Sequence, residues 1–179
     1  PINGFEQVFA DETTGTVLVA SDGGIEAFRA TAGEGRWETN RVRQLVHAPA
    51  VYDGRVFAVG DVDGSPSLVA ISVEAGSDRW QSELTATPES AAPVATQDGV
   101  FVADDRMLVV HDRDTGDQRR ELGSFGEDDD VVPHTIAVDD GTVFVTSSYG
   151  AVAVDSETGT VRWHRETPVY KPGIAVGTD

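Results

Sequence analysis

Four histidines, His47, His111, His134 and His164, are the side chains of this sequence best suited to ligate a metal or move a proton near neutral pH. His47 and His134 stand in register, each nine residues before a valine, Val56 and Val143. Both are expected near the start of a first, channel-lining strand; this points weakly to a central pocket, and ordinary polar strand-end residues are the reading expected. Two repeat units separate them, too far to share an ion unless the channel is narrow. His111 falls where the other units carry Phe28, Ile71 and Val154. A buried imidazole with a local hydrogen-bond partner is expected there.

Other combinations carry less. Asp61-Val62-Asp63-Gly64-Ser65 echoes the front half of a calcium loop, but Ser72 stands where the bidentate glutamate of such a loop belongs, so a hairpin turn is expected. The acidic run Glu127 to Asp130 reads as a solvated loop. Ser147, Ser148 and Tyr149 have no base placed beside them by sequence, and nucleophilic catalysis has nothing to activate it. With no cysteine there is no thiolate, disulfide or sulfur-ligated metal. The sequence thus assigns no catalytic, cofactor-binding or metal-ligating residue.

The elements that would position any site are read from a repeat. Gly33, Gly76, Gly116 and Gly159 lie 43, 40 and 43 residues apart, and four residues after each come Trp37, Trp80, Arg120 and Trp163. A period in this range marks units that bury their apolar faces only against their neighbours. Within each unit, runs of β-branched and aromatic residues alternate with Asp-Gly, Gly-Gly or Thr-Gly punctuation, the pattern of antiparallel strands joined by tight hairpins. No segment has a helical period. In the second unit the strands are expected at 48–52, 56–59, 67–73 and 79–84. The four units span approximately 5–41, 46–84, 90–123 and 132–167. Residues 170–179 repeat the first-strand pattern and predict the opening strand of a fifth. One continuous, all-β domain follows.

The charge balance bounds the partners. Thirty-one acidic residues against 13 basic ones leave a formal net charge of −18 and an isoelectric point near 4.3. Nucleic acid is excluded, because phosphate binding requires clustered Lys and Arg that are missing here. Lys171 is the sole lysine. Such self-repulsion is relieved at about 1 M salt, where the screening length falls to about 3 Å. The composition resembles that of halophile proteins, a haloarchaeal type, and predicts salt adaptation. It leaves the compartment open between the cell surface and the cytoplasm of a salt-accumulating cell. No apolar stretch approaches the roughly 20 residues of a membrane-spanning helix. The chain starts at Pro1, which fits a segment of something longer.

The clearest repeat copy, Ala153 to Trp163, fits A-x-D-x-x-T-G-x-x-x-W at every defined place. The 70–80 copy keeps Ala70, Gly76 and Trp80 but has Ser72 for Asp and Ala75 for Thr, and the 27–37 copy has Arg29 and Ala32 there. The 110–120 copy keeps Asp112, Thr115 and Gly116 but puts Arg120 in the tryptophan slot. These copies, covering nearly the whole chain, resemble the pyrroloquinoline-quinone-like (quinoprotein-type) β-propeller repeat. The resemblance implies a propeller segment of four four-stranded blades plus the first strand of a fifth. It also implies that Gly33, Gly76, Gly116 and Gly159, with Asp112 and Asp155, shape the turns while Trp37, Trp80 and Trp163 dock blade on blade. Arg120 should weaken one such contact, though its guanidinium can stack.

Quinone-dependent dehydrogenases of the family hold their cofactor on the axis of an eight-bladed ring beside adjacent cysteines and a calcium ion. This chain has no cysteine and about half the blades, so no cofactor is expected. The better model is a noncatalytic propeller scaffold that binds a protein or ligand. A dehydrogenase fragment and a sensor propeller attached to a kinase-like domain are the alternatives. The expected partners are proteins, the remaining blades of a longer chain, or a second copy that completes a ring.

Overall fold

The computed structural model describes residues 6–45, 47–86, 91–105, 107–124, 133–147 and 150–166. They form sixteen strands in four antiparallel sheets, each a simple meander in chain order. Blade 1 comprises β1 (Glu6–Asp11), β2 (Thr16–Ser21), β3 (Gly24–Arg29) and β4 (Gly35–Thr39). Blade 2 comprises β5 (Ala50–Tyr52), β6 (Arg55–Val62), β7 (Ser65–Ser72) and β8 (Asp78–Glu83). Blade 3 comprises β9 (Val94–Thr96), β10 (Gly99–Asp104), β11 (Met107–His111) and β12 (Gln118–Ser124). Blade 4 comprises β13 (Thr135–Asp139), β14 (Thr142–Ser147), β15 (Gly150–Asp155) and β16 (Val161–Glu166). The first strands β5, β9 and β13 approach one another and mark the inner side of the array. The fold is an all-β propeller, as the repeat predicts. The proposed strand at 170–179 and the acidic run Glu127 to Asp130 lie outside the described residues, as do Ser148 and Tyr149.

The hairpins form where Asp-Gly supplies two successive residues that tolerate positive φ. Asp53 and Gly54 (φ 48° and 68°), Asp63 and Gly64 (54° and 92°) and Asp140 and Gly141 (40° and 66°) each take the backbone twist that continues two antiparallel strands. The Asp61 to Ser65 segment is therefore a hairpin, with Asp61 Oδ1 accepting the Gly64 N–H at 3.1 Å. β6 and β7 run further toward this turn than their sequence suggests. Pro66 sits near the beginning of β7, opposite Asp61, and its carbonyl accepts the Leu84 N–H at 2.8 Å. Proline is tolerated in a ladder where no N–H is demanded of it.

The core is three layers between blades. Leu18, Ala20, Ile25 and Ala27 of blade 1 meet Val56, Ala58, Val69 and Ile71 of blade 2. From the opposite face of blade 2, Phe57, Val59, Leu68 and Ala70 meet Val100 and Val102 of blade 3. Phe101, Ala103, Leu108 and Val110 then meet Val143, Val145 and Val154 of blade 4. Because side chains alternate across a strand, a blade covered on both faces reads as a continuous apolar run. β6 and β7 do so: Val56 to Val59 and Leu68 to Ile71 are all buried. β16, on the outer edge of blade 4, is exposed along its whole length.

Candidate functional site

The repeated feature of the molecule is the turn between the third and fourth strands of each blade. Gly33, Gly76, Gly116 and Gly159 adopt φ of 66°, 66°, 81° and 70°. Their N–H groups donate to the carbonyls of Arg29, Ser72, Asp112 and Asp155 at 2.8 to 2.9 Å. A residue with a Cβ resists this left-handed conformation, which accounts for glycine at all four positions. In three of the four turns the side chain of the residue that begins the turn accepts from amides that follow it. Asp112 Oδ1 accepts the N–H groups of Asp114 (2.7 Å) and Thr115 (2.9 Å), and Asp155 Oδ1 accepts those of Glu157 (3.1 Å) and Thr158 (2.9 Å). In blade 2, Ser72 Oγ accepts a single amide, that of Ala75, at 3.3 Å.

These contacts stabilise the ionised carboxylates. The Arg162 guanidinium, 2.8 Å from Asp155, and then the amide and hydroxyl of Thr158 hold the Asp155 carboxyl well below the usual range. Asp112 is lowered first by the amides of Thr115 and Asp114, with Arg119 adding to them.

The tryptophans join one blade to the next through this turn. Trp37 Nε1 donates to the Val73 carbonyl of blade 2 at 2.8 Å, and its ring fills the space over Gly76, where a Cβ would approach Trp37 Cδ2 to 2.5 Å. Trp80 repeats the arrangement on blade 3. Its Nε1 donates to the Arg113 carbonyl at 2.9 Å, and a Cβ on Gly116 would lie 2.5 Å from its ring. Glycine is thus required twice over, for φ and for the approach of the indole. In the tryptophan slot Arg120 reaches the next blade by hydrogen bonds. Its Nη1 donates to the carbonyls of Ser156 (3.1 Å) and Glu157 (3.0 Å), so two hydrogen bonds stand where the other junctions have one. Trp163 lies on the outer face of blade 4, 44% exposed, with its ring centroid 6.1 Å from that of Phe144.

Each docking side chain belongs to a row across its sheet. The register aligns Leu18, Ala27 and Trp37 in blade 1, Phe57, Ala70 and Trp80 in blade 2, Phe101, Val110 and Arg120 in blade 3, and Phe144, Ala153 and Trp163 in blade 4. A small alanine stands beside every tryptophan, and the larger valine stands beside arginine. Neighbouring side chains on one sheet face compensate each other in volume.

An arginine precedes every docking position: Arg36, Arg79, Arg119 and Arg162. Sequence reasoning missed this column, although the recurring Arg-Trp pair was its signal. Successive side chains of a strand point to opposite faces, so the arginine cannot share the docking face. It ties the fourth strand to neighbouring turns of its own blade. Arg36 donates to Thr16 Oγ1 (2.6 Å) and the Thr14 carbonyl (3.1 Å), and Arg162 to Asp155, to Thr142 Oγ1 (2.5 Å) and to the Gly141 carbonyl (3.3 Å). Arg119 donates to Asp112 and to the Asp98 carbonyl, and Arg79 reaches Ser72 Oγ at 3.4 Å.

The histidines are not brought together. His47 lies just before β5 and His134 just before β13, two blades apart, each half-buried. The His134 N–H donates to the Thr146 carbonyl at 2.7 Å. His111 is buried, with Nδ1 3.0 Å from the Gly116 carbonyl; since a carbonyl only accepts, Nδ1 carries the proton of that bond. His164 lies on the exposed β16. Among the described residues no group of three or more His, Asp or Glu side chains converges as a metal site. Nor, among them, is any helix long and apolar enough to cross a membrane. Two open hollows of about 360 and 380 Å³ flank the docking strands, one beside Trp37 and the other between Arg119, Arg120 and Arg162.

Comparison with known proteins agrees with this geometry. The family described as outer membrane protein assembly factor BamB matches residues 6–177. The crystal structure of BamB from Moraxella catarrhalis superposes with a TM-score of 0.71 at 21% identity, over 89% of this chain and 52% of that protein. Quinohemoprotein alcohol dehydrogenase from Comamonas testosteroni superposes with a TM-score of 0.64 at 14% identity, over 87% of this chain and 34% of the enzyme. The serine/threonine-protein kinase AfsK of Streptomyces griseus is 26% identical over 90% of this chain and 16% of the kinase. The chain thus spans about half of the BamB structure and a sixth of the kinase. With four quinoprotein-type blades in register and a family match that runs almost end to end, the chain belongs to the BamB-like family of PQQ-repeat β-propellers.

Proposed function

We propose that the chain is a noncatalytic propeller scaffold that holds a protein or ligand on its turns or at the mouth of its channel. The observation that carries this reading is how the reactive side chains are used. Asp112, Asp155, Arg119 and Arg162 bind turn amides and one another, His111 faces a carbonyl of its own turn, and Arg120 bridges two blades. These groups maintain the frame: Arg119, Arg120, Asp155 and Arg162 border one open hollow, yet each is engaged in bonds to its own blade or to the next. The chain also lacks the cysteines that the quinone enzymes place beside their cofactor. Likeness to the alcohol dehydrogenase at 14% identity is a likeness of fold, and the chemistry of a fold resides in sites grafted onto it.

Similarity to AfsK favours one form of this scaffold, a sensor propeller carried by a larger regulatory protein. The reading frame surrounding this chain distinguishes a kinase-linked propeller from a free-standing one. Titration calorimetry with pyrroloquinoline quinone and calcium tests the scaffold reading against a dehydrogenase fragment. No saturable heat is expected, and stoichiometric binding would reject the scaffold.

A further inference from the structure

The three seams between blades are held unequally. Residues 40–45, which link β4 to β5, strap blade 1 to blade 2. Arg43 and Asp61 exchange both backbone hydrogen bonds, at 2.9 and 2.7 Å, and the Gln44 N–H donates to the Asp22 carbonyl at 3.1 Å. Val42 and Leu45 of the strap are buried. Gly60 admits it, since a Cβ there would lie 2.4 Å from the Arg43 carbonyl oxygen. Blades 2 and 3 carry a second set of links beside Trp80. The Thr85 and Ala86 N–H groups donate to Asp104 Oδ1 at 2.8 and 3.0 Å, Arg55 pairs with Asp114 at 2.8 Å, and the Arg113 guanidinium lies 5.5 Å from the Tyr52 ring centroid.

The seam between blades 3 and 4 differs in kind. Arg120 stands where the other two seams have Trp37 and Trp80, and it crosses through its Nη1 to the Ser156 and Glu157 carbonyls. Over Gly159 lies backbone instead of a ring: a Cβ there would sit 3.2 Å from the Leu122 carbonyl oxygen. The seam borders an open hollow of about 380 Å³ to which both blades contribute, Gln97, Asp98 and Arg120 from one and Gly141, Ser156 and Glu157 from the other. Solvent entering the hollow competes for the Arg120 bonds, and a hydrogen bond exchanged for one to water costs little. An indole leaving its slot loses apolar burial as well. Local opening follows the contacts that are most solvated and least apolar.

We propose that the seam between blades 3 and 4 is the hinge at which this propeller opens, blades 1 to 3 staying together while the Arg120 bonds exchange for water. Opening uncovers the apolar layer of Phe101, Ala103, Val143 and Val145. It is a property of the frame, independent of what the array binds.

A chain without cysteine allows each seam to be read separately. Ala58→Cys, Ala70→Cys and Ala103→Cys each place one thiol at a buried alanine, in the layers between blades 1 and 2, 2 and 3, and 3 and 4. The rate of alkylation by iodoacetamide under native conditions reports how often each layer opens. The Ala103→Cys thiol should react at least about 10-fold faster than the other two. Adding Arg120→Ala should speed it by about another 10-fold and leave the other two rates unchanged. Adding Trp80→Ala should speed the Ala70→Cys thiol instead. Fraying of an outer blade as such would speed Ala58→Cys as much as Ala103→Cys.

Far-UV circular dichroism checks that each variant folds, and the order of the three single-cysteine rates decides the matter even where a second substitution unfolds the chain. Three equal rates, the result of opening by global unfolding alone, would overturn the proposal. So would an Ala58→Cys or Ala70→Cys thiol that reacts as fast as Ala103→Cys, or an Ala103→Cys rate that a folded Arg120→Ala variant leaves unmoved.

Discussion

The junction between blades 2 and 3 and the outer face of blade 4 are built from the same row of side chains. In the first, Phe57, Ala70 and Trp80 lie beneath blade 3, the two rings 5.9 Å apart at 42°, and Phe57 is completely buried. In the second, Phe144, Ala153 and Trp163 keep the same ring arrangement, 6.1 Å apart at 45°, on an exposed face. The aromatic pair is thus set by its own sheet before any neighbour covers it. What the neighbour adds is burial, an acceptor carbonyl and a glycine that admits the ring. A repeat array of this kind draws its stability from nearest-neighbour interfaces.

The contrast sets the order of mutational effects. Trp80→Ala should cost about 2 kcal/mol in chemical denaturation, because the half-buried ring packs on Phe57 and its N–H bonds the Arg113 carbonyl. Trp163→Ala, measured on single copies, should cost less than about 0.5 kcal/mol, as for a surface position. Equal costs would show that the inner tryptophan is not a docking residue. Next come the turn glycines. Gly116→Ala combines positive-φ strain with a clash against the Trp80 ring and should cost about 3 kcal/mol, whereas Gly33→Ala meets only the strain, about 1 kcal/mol.

The smallest effect concerns pH. The carboxyls of Asp112 and Asp155 ionise more readily in the folded chain than in the unfolded one. Their contribution is present above the ordinary carboxylate pKa near 4 and is lost as pH falls toward the lower folded values. Asp155→Asn should therefore lower Tm at pH 7, and its deficit against the wild type should shrink steadily below pH 4. A deficit that grows with acid would contradict the assigned cause.

Much of the fold was legible because its punctuation is local. Asp-Gly and Thr-Gly fix backbone dihedrals through the residues themselves, so turns at Asp53, Asp63, Asp140 and Gly159 could be placed without knowing their neighbours. Strand ends were less legible. The strand expected at 67–73 begins instead at Ser65, because the ladder asks no N–H of Pro66. Arg120 reads as a defect, whereas its bonds to two blade 4 carbonyls depend on a turn 36 residues away. The arginines before each docking position went unread because tryptophan drew attention to the other face of the same strand. The placement of His47 and His134 relative to one another depends on how blades follow one another around the axis, a long-range property that residue spacing does not encode.

The central claim is that each tryptophan is held by the turn of the following blade. Hydrogen exchange of the three indole N–H groups, measured by NMR in dilute solution on single copies, tests it most directly. The Trp37 and Trp80 indoles, bonded to the carbonyls of Val73 and Arg113, should exchange slowly, and that of Trp163 should exchange fast. Three equal rates, or a protected Trp163 under these conditions, would contradict the account.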